Sequence, residues 1–323
     1  MKAVALFSGG LDSVLAAKLV RDQGIEVVAV KFLSPFSCEK DFSEASAKRI
    51  GVRLVKVQLG GDYLRMLGKP KFGYGSGANP CIDCKIFMFR KAWSYARRIG
   101  AKFLVTGEVL GERPMSQNMG ALRTIEREAG VAGYLLRPLS AKLLPETVPE
   151  KKGWVDREKL LSVQGRSRKV QMSLARKWMI KEYPTPAGGC LLTYREFAAK
   201  ARDLFRSKIT MEGAELLKYG RHFRFGANKA IVGRREEDNR CLLRLAGKGD
   251  YVLYVPGYGS PITILQGPKT RKAVAFAASL TAAYSDHPGT EVVVKYGKHG
   301  SLKRIHAKPA TRKEIEESSI VRK

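Results

Sequence analysis

A doubly wound parallel α/β sheet followed by a smaller, basic α+β domain is the fold class this sequence predicts, and three observations carry it. Short apolar runs alternate with helical periodicity from the N-terminus to about residue 108. A pair of glycines separates the first strand from the first helix. After residue 205 the pattern changes to short strand-like pieces broken by Gly and Pro.

The elements follow in order. KAVALF, residues 2–7, reads as a buried strand, and residues 11–22 as a helix with Leu11, Leu15, Leu19 and Val20 on one side. IEVVAVKF (25–32) and VRLVKVQL (52–59) are further strands, with a helix over 42–50 between them. A long helix fits 85–99, and AKFLVTGE gives a fourth strand ending near Glu108. Strands apolar on both faces, alternating with helices, imply a parallel sheet covered on both sides, with any ligand at the carboxyl ends of the strands. SGGLDS, the loop after Phe32 and the GEVLGERPMSQ segment all fall at those ends. Beyond residue 205, KAIVGR, DYVLYVPG and SPITILQG read as strands. A helix over 273–284 precedes EVVVKYGKHGSLKRIHA. The boundary is placed near 203–209, giving domains of 1–205 and 206–323.

The 323 residues carry 59 Lys and Arg against 30 acidic residues, a formal charge of +29. Such an excess points to a polyanionic partner, with nucleic acid first; a thermophilic surface of ion pairs would keep the signs balanced. No run approaches the ~20 apolar residues of a membrane span, and Met1 leads straight into a strand, so a cytoplasmic protein with no membrane partner is expected. Five cysteines, Cys38, Cys81, Cys84, Cys190 and Cys241, argue against a disulfide framework and for metal or sulfur chemistry.

SGGLDS places Gly9 and Gly10 where the backbone can approach a phosphate, at a helix N-terminus whose N–H groups point outward. Ser8 and Ser13 add hydroxyls. Asp12 suits a magnesium-bridging or loop-shaping role. The pattern lacks the Lys of a Walker loop. Cys81 and Cys84 form a C-x-x-C pair just ahead of a helix, and Cys190 follows two glycines. The readings open to the pair are half a zinc site, a redox pair or packed thiols, and the three thiolates together could hold an iron-sulfur cluster with one iron open. The four histidines (His222, His287, His299, His306) all lie in the second domain, so a local Cys-His zinc site is not expected. Cys38 is a further ligand, a sulfur acceptor or a small buried thiol, and Cys241 reads as a strand core residue. Glu108, Arg113 and Gln117 lie at a strand end where they could face a bound ligand. Arg166 and Arg168 of GRSR offer planar forks to phosphate. Residues 295–323 carry nine Lys or Arg against three Glu, interleaved with Tyr296, His299 and His306, a composition suited to RNA backbone and base contact.

SGGLDS after an N-terminal strand resembles the PP-loop ATPases of the HUP-like class, which split ATP between the alpha and beta phosphates and adenylate a substrate oxygen. With NPCIDCK (79–85), TGEVLGERPMSQ (106–117), LRPLSAKLL (136–144), GRSR and PAGGCLLT, the first ~205 residues resemble the tRNA thiouridine synthetases of that superfamily. They are most similar to the 4-thiouridine synthetase-like branch, with kinship to the 2-thiouridylases. ANKAIVGRREEDNRCLL (227–243) resembles the NFACT-R type of RNA-binding domain. The resemblance implies ATP and magnesium at Ser8, Gly9, Gly10, Asp12 and Ser13, with Gly107, Glu108, Arg166 and Arg168 completing the nucleotide site. It also implies a 4Fe-4S cluster or persulfide on Cys81, Cys84 and Cys190, tRNA as substrate, and inorganic sulfide or a cysteine desulfurase as sulfur donor. The product would be 4-thiouridine or 2-thiouridine. The rival classes are a PP-loop ligase or amidotransferase adding an amine to an adenylated substrate, and a non-catalytic RNA-binding protein. The motifs leave the target uridine and the oligomeric state open.

Overall fold

The computed structural model describes residues 1–37, 41–181, 183, 190–207, 209–287, 289–298 and 301–321. They form two compact units, Met1–Thr193 and Tyr194–Lys323. Cys38, His299 and the glycines before Cys190 lie outside the described residues.

The first unit runs β1 (Lys2–Leu6), α1 (Leu11–Arg21), β2 (Glu26–Leu33), α2 (Ser43–Arg49), β3 (Arg53–Gln58), α3 (Gly61–Gly68), α4 (Cys81–Arg98), β4 (Phe103–Thr106), α5 (Met119–Ala129), β5 (Leu135–Leu136), α6 (Val148–Lys151) and α7 (Lys169–Lys177). The strands pair in the order β3-β2-β1-β4-β5, and every pair is parallel. Successive side chains of β1 enter opposite layers. Ala3 and Ala5 pack with Leu11, Val14 and Leu15 of α1, whereas Val4 packs with Ile86, Phe89 and Ala92 of α4 and Ile125 of α5. Both faces are thus covered, as the doubly wound reading requires. The strand order reverses direction between β1 and β4, so the crevice at their carboxyl ends is the topological switch point, where such sheets bind ligands. SGGLDS leaves β1 there, and Gly107–Glu108 leaves β4 beside it.

One helix start differs from expectation. α4 begins at Cys81, directly after Pro80, and not at residue 85. Both thiols therefore lie in its first turn, three residues apart and on one face.

The second unit runs α8 (Arg195–Phe205), α9 (Met211–Leu216), β6 (Arg221–Phe225), β7 (Asn228–Val232), α10 (Glu236–Leu245), β8 (Tyr251–Tyr254), β9 (Thr263–Gln266), α11 (Arg271–Ala283), β10 (Val292–Lys298), β11 (Ser301–Ala307) and α12 (Arg312–Ser318). Its sheet has the order β11-β10-β8-β9-β7-β6 and is antiparallel throughout. α11 buries Ala273, Val274, Ala277 and Ala278 on one face, and α10 buries Leu242 against Ile231, Val252 and Ile264 on the other. The division at Thr193–Tyr194 places α8 with this unit.

Cys241 needs correction. It sits half-buried in α10, not in a strand. The segment has Glu236, Glu237 and Asp238 in a first helical turn, where the helix dipole favours acids, and it buries Leu242 while exposing Leu243; its apolar spacing is helical. Among the described residues, no helix is long and apolar enough to cross a membrane.

Candidate functional site

The phosphate loop is shaped by its own backbone and hydroxyls. Phe7 N donates to Val30 O at 2.8 Å, continuing the β1 ladder to the edge of the loop. Gly9 then turns with φ +81°, and a Cβ there would stand 2.7 Å from Ser43 N and 2.9 Å from Ser43 Cα, so the start of α2 admits only glycine. Gly10 N donates to Ser8 Oγ at 3.1 Å, and Ser13 Oγ donates to Gly10 O at 2.7 Å. The two hydroxyls lie 3.2 Å apart. Gly107 closes the loop from the other side: its Cβ would come within 2.5 Å of Asp12 C and Ser13 N. Its role here is steric, letting the end of β4 abut the first turn of α1.

Charged groups gather beside this loop. Arg168 Nη2 lies 3.7 Å from Asp12 Oδ2, while Asp12 Oδ1, Arg168 Nε and the Gln171 amide are buried without a hydrogen-bond partner. Burial raises the Asp12 carboxyl above the usual aspartate range, with Arg168 partly offsetting it. Glu112 is raised too, by burial and then by the charge of Asp12. Two carboxyls that disfavour each other's ionisation, one with a buried orphan oxygen, fit a divalent cation. Arg113 acts on both. The GRSR loop reaches this place because Gly165 N donates to Leu110 O at 2.7 Å, and because buried Ser140 accepts from Leu110 N and donates to Val163 O. Arg166 is exposed.

Glu108 is placed differently from its neighbours. It is 5% exposed, and its oxygens accept from Lys85 Nζ at 2.6 Å and Arg137 Nε at 2.9 Å. Burial works to raise its carboxyl, yet Lys85 and Arg137 hold it below the ordinary range. Arg137 also pairs with Glu126. Glu108 is thus a charged strut between β4, α4 and the segment after β5. Gln117 is buried nearby in sequence, with its Oε1 unpartnered and its backbone carbonyl accepting from Gly111 N at 2.7 Å.

The thiols converge through tertiary stitching. Asp83 anchors the loop before α4 by accepting from Lys71 N at 2.8 Å and Phe72 N at 3.1 Å. Asn79 accepts from Gly77 N at 3.0 Å and donates through Nδ2 to Cys81 Sγ at 3.1 Å. The Cys190 segment arrives from far along the chain: Leu191 N donates to Phe36 O, Ala78 N donates to Leu192 O, and Ser37 and Cys190 form an antiparallel bridge. Gly77 lies so close to Leu192 O that a side chain would collide with it. Cys84 Sγ is 3.1 Å from the hydroxyl of buried Tyr63 in α3. Burial pushes the Cys84 thiol up to about 12, with Cys190 and Cys81 acting in the same direction. Among the described residues, no group of three or more His, Cys, Asp or Glu stands in metal-ligating geometry. The donor set of three thiols suits iron-sulfur ligation in kind.

Tyr63, Gln171 and Glu112 were not singled out by the sequence. Gln171 follows Arg168 by three residues on the same helical face, and Glu112 lies inside a motif already quoted. Nothing in the sequence signals Tyr63.

In the second unit, β10 and β11 form a basic ribbon in which Lys295 is paired with Arg304 and Tyr296 with Lys303. Tyr296 packs on Tyr251, and Lys295 lies over the Tyr254 ring at 6.0 Å.

Fold and site together define the class: a PP-loop-type α/β domain joined to a separate antiparallel-sheet domain. Residues 1–142 match the family described as thiamine biosynthesis protein (ThiI), and residues 220–318 match the NFACT protein RNA binding domain. The chain is 32% identical over 147 residues to a probable tRNA sulfurtransferase of Thermococcus kodakarensis, covering 43% of this chain and 36% of that protein. It is 30% identical over 159 residues to the tRNA-specific 2-thiouridylase MnmA of Pelobacter propionicus, covering 46% and 44%. Among solved structures it is similar to a 4-thiouridine synthetase–RNA complex with bound ATP, at 23% identity and a TM-score of 0.34, over 55% of this chain and 51% of that one. The chain spans less than half the length of these two curated relatives.

Proposed function

We propose that the protein is an ATP-dependent tRNA sulfurtransferase, acting in the cytoplasm, that adenylates a uridine carbonyl and exchanges its oxygen for sulfur to give 4-thiouridine or 2-thiouridine. The observation that carries this reading is the presence, in one parallel-sheet unit, of a glycine-shaped phosphate loop at the switch point and of three converging thiols from Cys81, Cys84 and Cys190.

The role of each residue follows from its place. Gly9 and Gly10 let the backbone approach the triphosphate, and Ser8 and Ser13 hold the loop in shape while the first N–H groups of α1 face the anion. Asp12, with Glu112 beside it, would hold magnesium, and Arg168 would neutralise the alpha phosphate as the uridine oxygen attacks it. Arg166, exposed on the same loop, is suited to a phosphate of nucleotide or tRNA. AMP then leaves with the original carbonyl oxygen as sulfur takes its place. A 4Fe-4S cluster on Cys81, Cys84 and Cys190 would supply an open iron as a Lewis acid toward sulfide; without iron, one of the same cysteines would carry a persulfide. Tyr63 and Asn79 orient two of the three sulfurs in either case. Inorganic sulfide would serve the cluster route only; on the persulfide route a cysteine desulfurase would supply sulfane sulfur, and a second of the three cysteines would cleave the C–S–S–Cys link to the base, leaving a disulfide for an external thiol to reduce. The second unit would grip tRNA phosphates through the β10–β11 ribbon while the target base leaves its stack.

The test is reaction of the purified protein with unmodified tRNA, ATP and magnesium, with either sulfide or a cysteine desulfurase, cysteine and a reducing thiol as sulfur source, followed by mass spectrometry of the nucleosides. A thiouridine together with AMP is expected. AMP formation that requires ammonia and yields no thiouridine would replace this reading with an amidotransferase. Iron and sulfide content after anaerobic purification separates cluster from persulfide: iron-free protein of undiminished activity rules the cluster out.

A further inference from the structure

A cavity of about 850 Å³ opens in the second unit between α8, the edge strand β6 and α12. Its size lies in the range of small-ligand pockets. Four cationic side chains line it, Lys200, Arg221, Arg234 and Arg312. Lys200 is the anomaly. It is 9% exposed, its Nζ donates only to the backbone oxygens of Leu217 and Gly220 at 3.3 and 3.2 Å, and among the described residues it makes no ion pair. A buried ammonium is normally paired with a carboxylate, because desolvation of the charge is costly. Here burial, followed by the charge of Arg234, drives the Lys200 ammonium down to about 8, with Glu196 and Asp238 offsetting this only in part and Lys229 adding to it; an entering anion would favour the charged form.

The other cations divide in two. Arg312 is bonded to Glu316 at 2.9 Å and Arg234 to Asp238 at 2.8 Å. Arg221 is exposed, makes no ion pair among the described residues, and lies over the Tyr284 ring with its Cζ 4.6 Å from the ring centroid. A guanidinium plane backed by a phenol is a platform on which an unstacked base can lie. Glu196, the remaining acid of the lining, is exposed.

From this juxtaposition we infer that the cavity is a seat for one unpaired nucleotide of RNA, its phosphate held by Lys200 and its base stacked on the Arg221–Tyr284 pair. The inference rests on the RNA-binding reading of this unit and adds a specific place to it. The basic ribbon gives sequence-independent attraction for any phosphate backbone; the cavity, by contrast, requires a nucleotide free to turn out of a helix.

Binding of the full chain to a labelled single-stranded RNA of about a dozen nucleotides, followed by fluorescence anisotropy, tests this. Arg221→Glu and Lys200→Met are expected to weaken binding by about ten-fold or more each, and to lower the salt slope by roughly 0.7 for each phosphate that is no longer neutralised. Uridine monophosphate should compete for the seat, and uridine should not. Should Lys200→Met fail to fold by circular dichroism, Arg221→Glu decides, since Arg221 is exposed. Wild-type chain that binds no RNA would overturn both the RNA reading and the seat. RNA binding that survives both substitutions, while Lys303→Glu on the ribbon abolishes it, would overturn the seat and leave the RNA reading standing.

Discussion

The phosphate loop and the thiol pocket occupy the same end of one sheet, yet they are built by opposite means. The loop is local: six residues hold themselves through Ser8, Gly10 and Ser13, and two glycines, Gly9 and Gly107, are demanded by backbone that has no room for a Cβ. The pocket is assembled from segments some hundred residues apart, tied by Asn79, Leu191, Leu192 and Tyr63. A loop of the first kind fails where a Cβ intrudes on its backbone, at Gly9 or at Gly107; a pocket of the second kind fails when any contributing segment undocks.

Substitutions that separate the two halves sharpen this contrast. The largest effect is expected from Cys190→Ser, which should take tRNA thiolation to background while ATP affinity, measured by calorimetry, stays unchanged; a matching loss of ATP binding would merge the two regions into one. Asp12→Ala should lower the rate of AMP formation about 100-fold by misplacing the phosphates, without altering the reactivity of the thiols toward an alkylating reagent. Gly107→Ala forces β4 away from α1 and should cost about 2–3 kcal/mol in chemical denaturation, together with weaker ATP binding. Asn79→Ala removes the side-chain bonds to Gly77 N and Cys81 Sγ, an expected loss of about 1 kcal/mol, read as faster Cys81 alkylation at undiminished ATP affinity.

The smallest effect is one of pH. A carboxyl whose folded pKa is raised is stabilising when protonated, so the contribution of Asp12 to folding is lost as pH climbs from the ordinary 3.8 through its raised folded value. Asp12→Asn should therefore melt higher than wild type at neutral pH in the absence of magnesium, and magnesium should narrow the difference. Equal melting temperatures at pH 7 without magnesium would show that Asp12 ionises in the fold at no cost.

The parallel sheet and its phosphate loop are legible in the sequence because their determinants are sequential: apolar runs, a glycine pair, a helix start. The position of Gly107 is also legible, though the reason for glycine there is the proximity of α1, which only the folded chain supplies. The start of α4 falls four residues earlier than the sequence pattern indicates, since Cys81, Ile82, Asp83 and Cys84 carry no strong helical signature, and the determinant is Pro80 together with the bonds Asp83 makes to Lys71 N and Phe72 N. The burial of Glu108 depends on Lys85 and Arg137, 23 and 29 residues away. Tyr63 is an aromatic residue on a short helix whose hydroxyl acquires meaning only when α3 packs beside Cys84. In each case the missing determinant is a contact distant in sequence, and no local pattern encodes it.

The strut made by Glu108 carries a mechanical consequence. Lys85 directly follows Cys84, Glu108 directly follows Gly107, and Gly107 is pressed against Asp12. The helix that bears Cys81 and Cys84 and the SGGLDS turn are thereby clamped through a buried charge pair and a backbone abutment. On the proposed function their spacing would be set at folding, as in a jig, so a substrate base would have to fit a gap already fixed, and neither half could advance on the other without first breaking that pair.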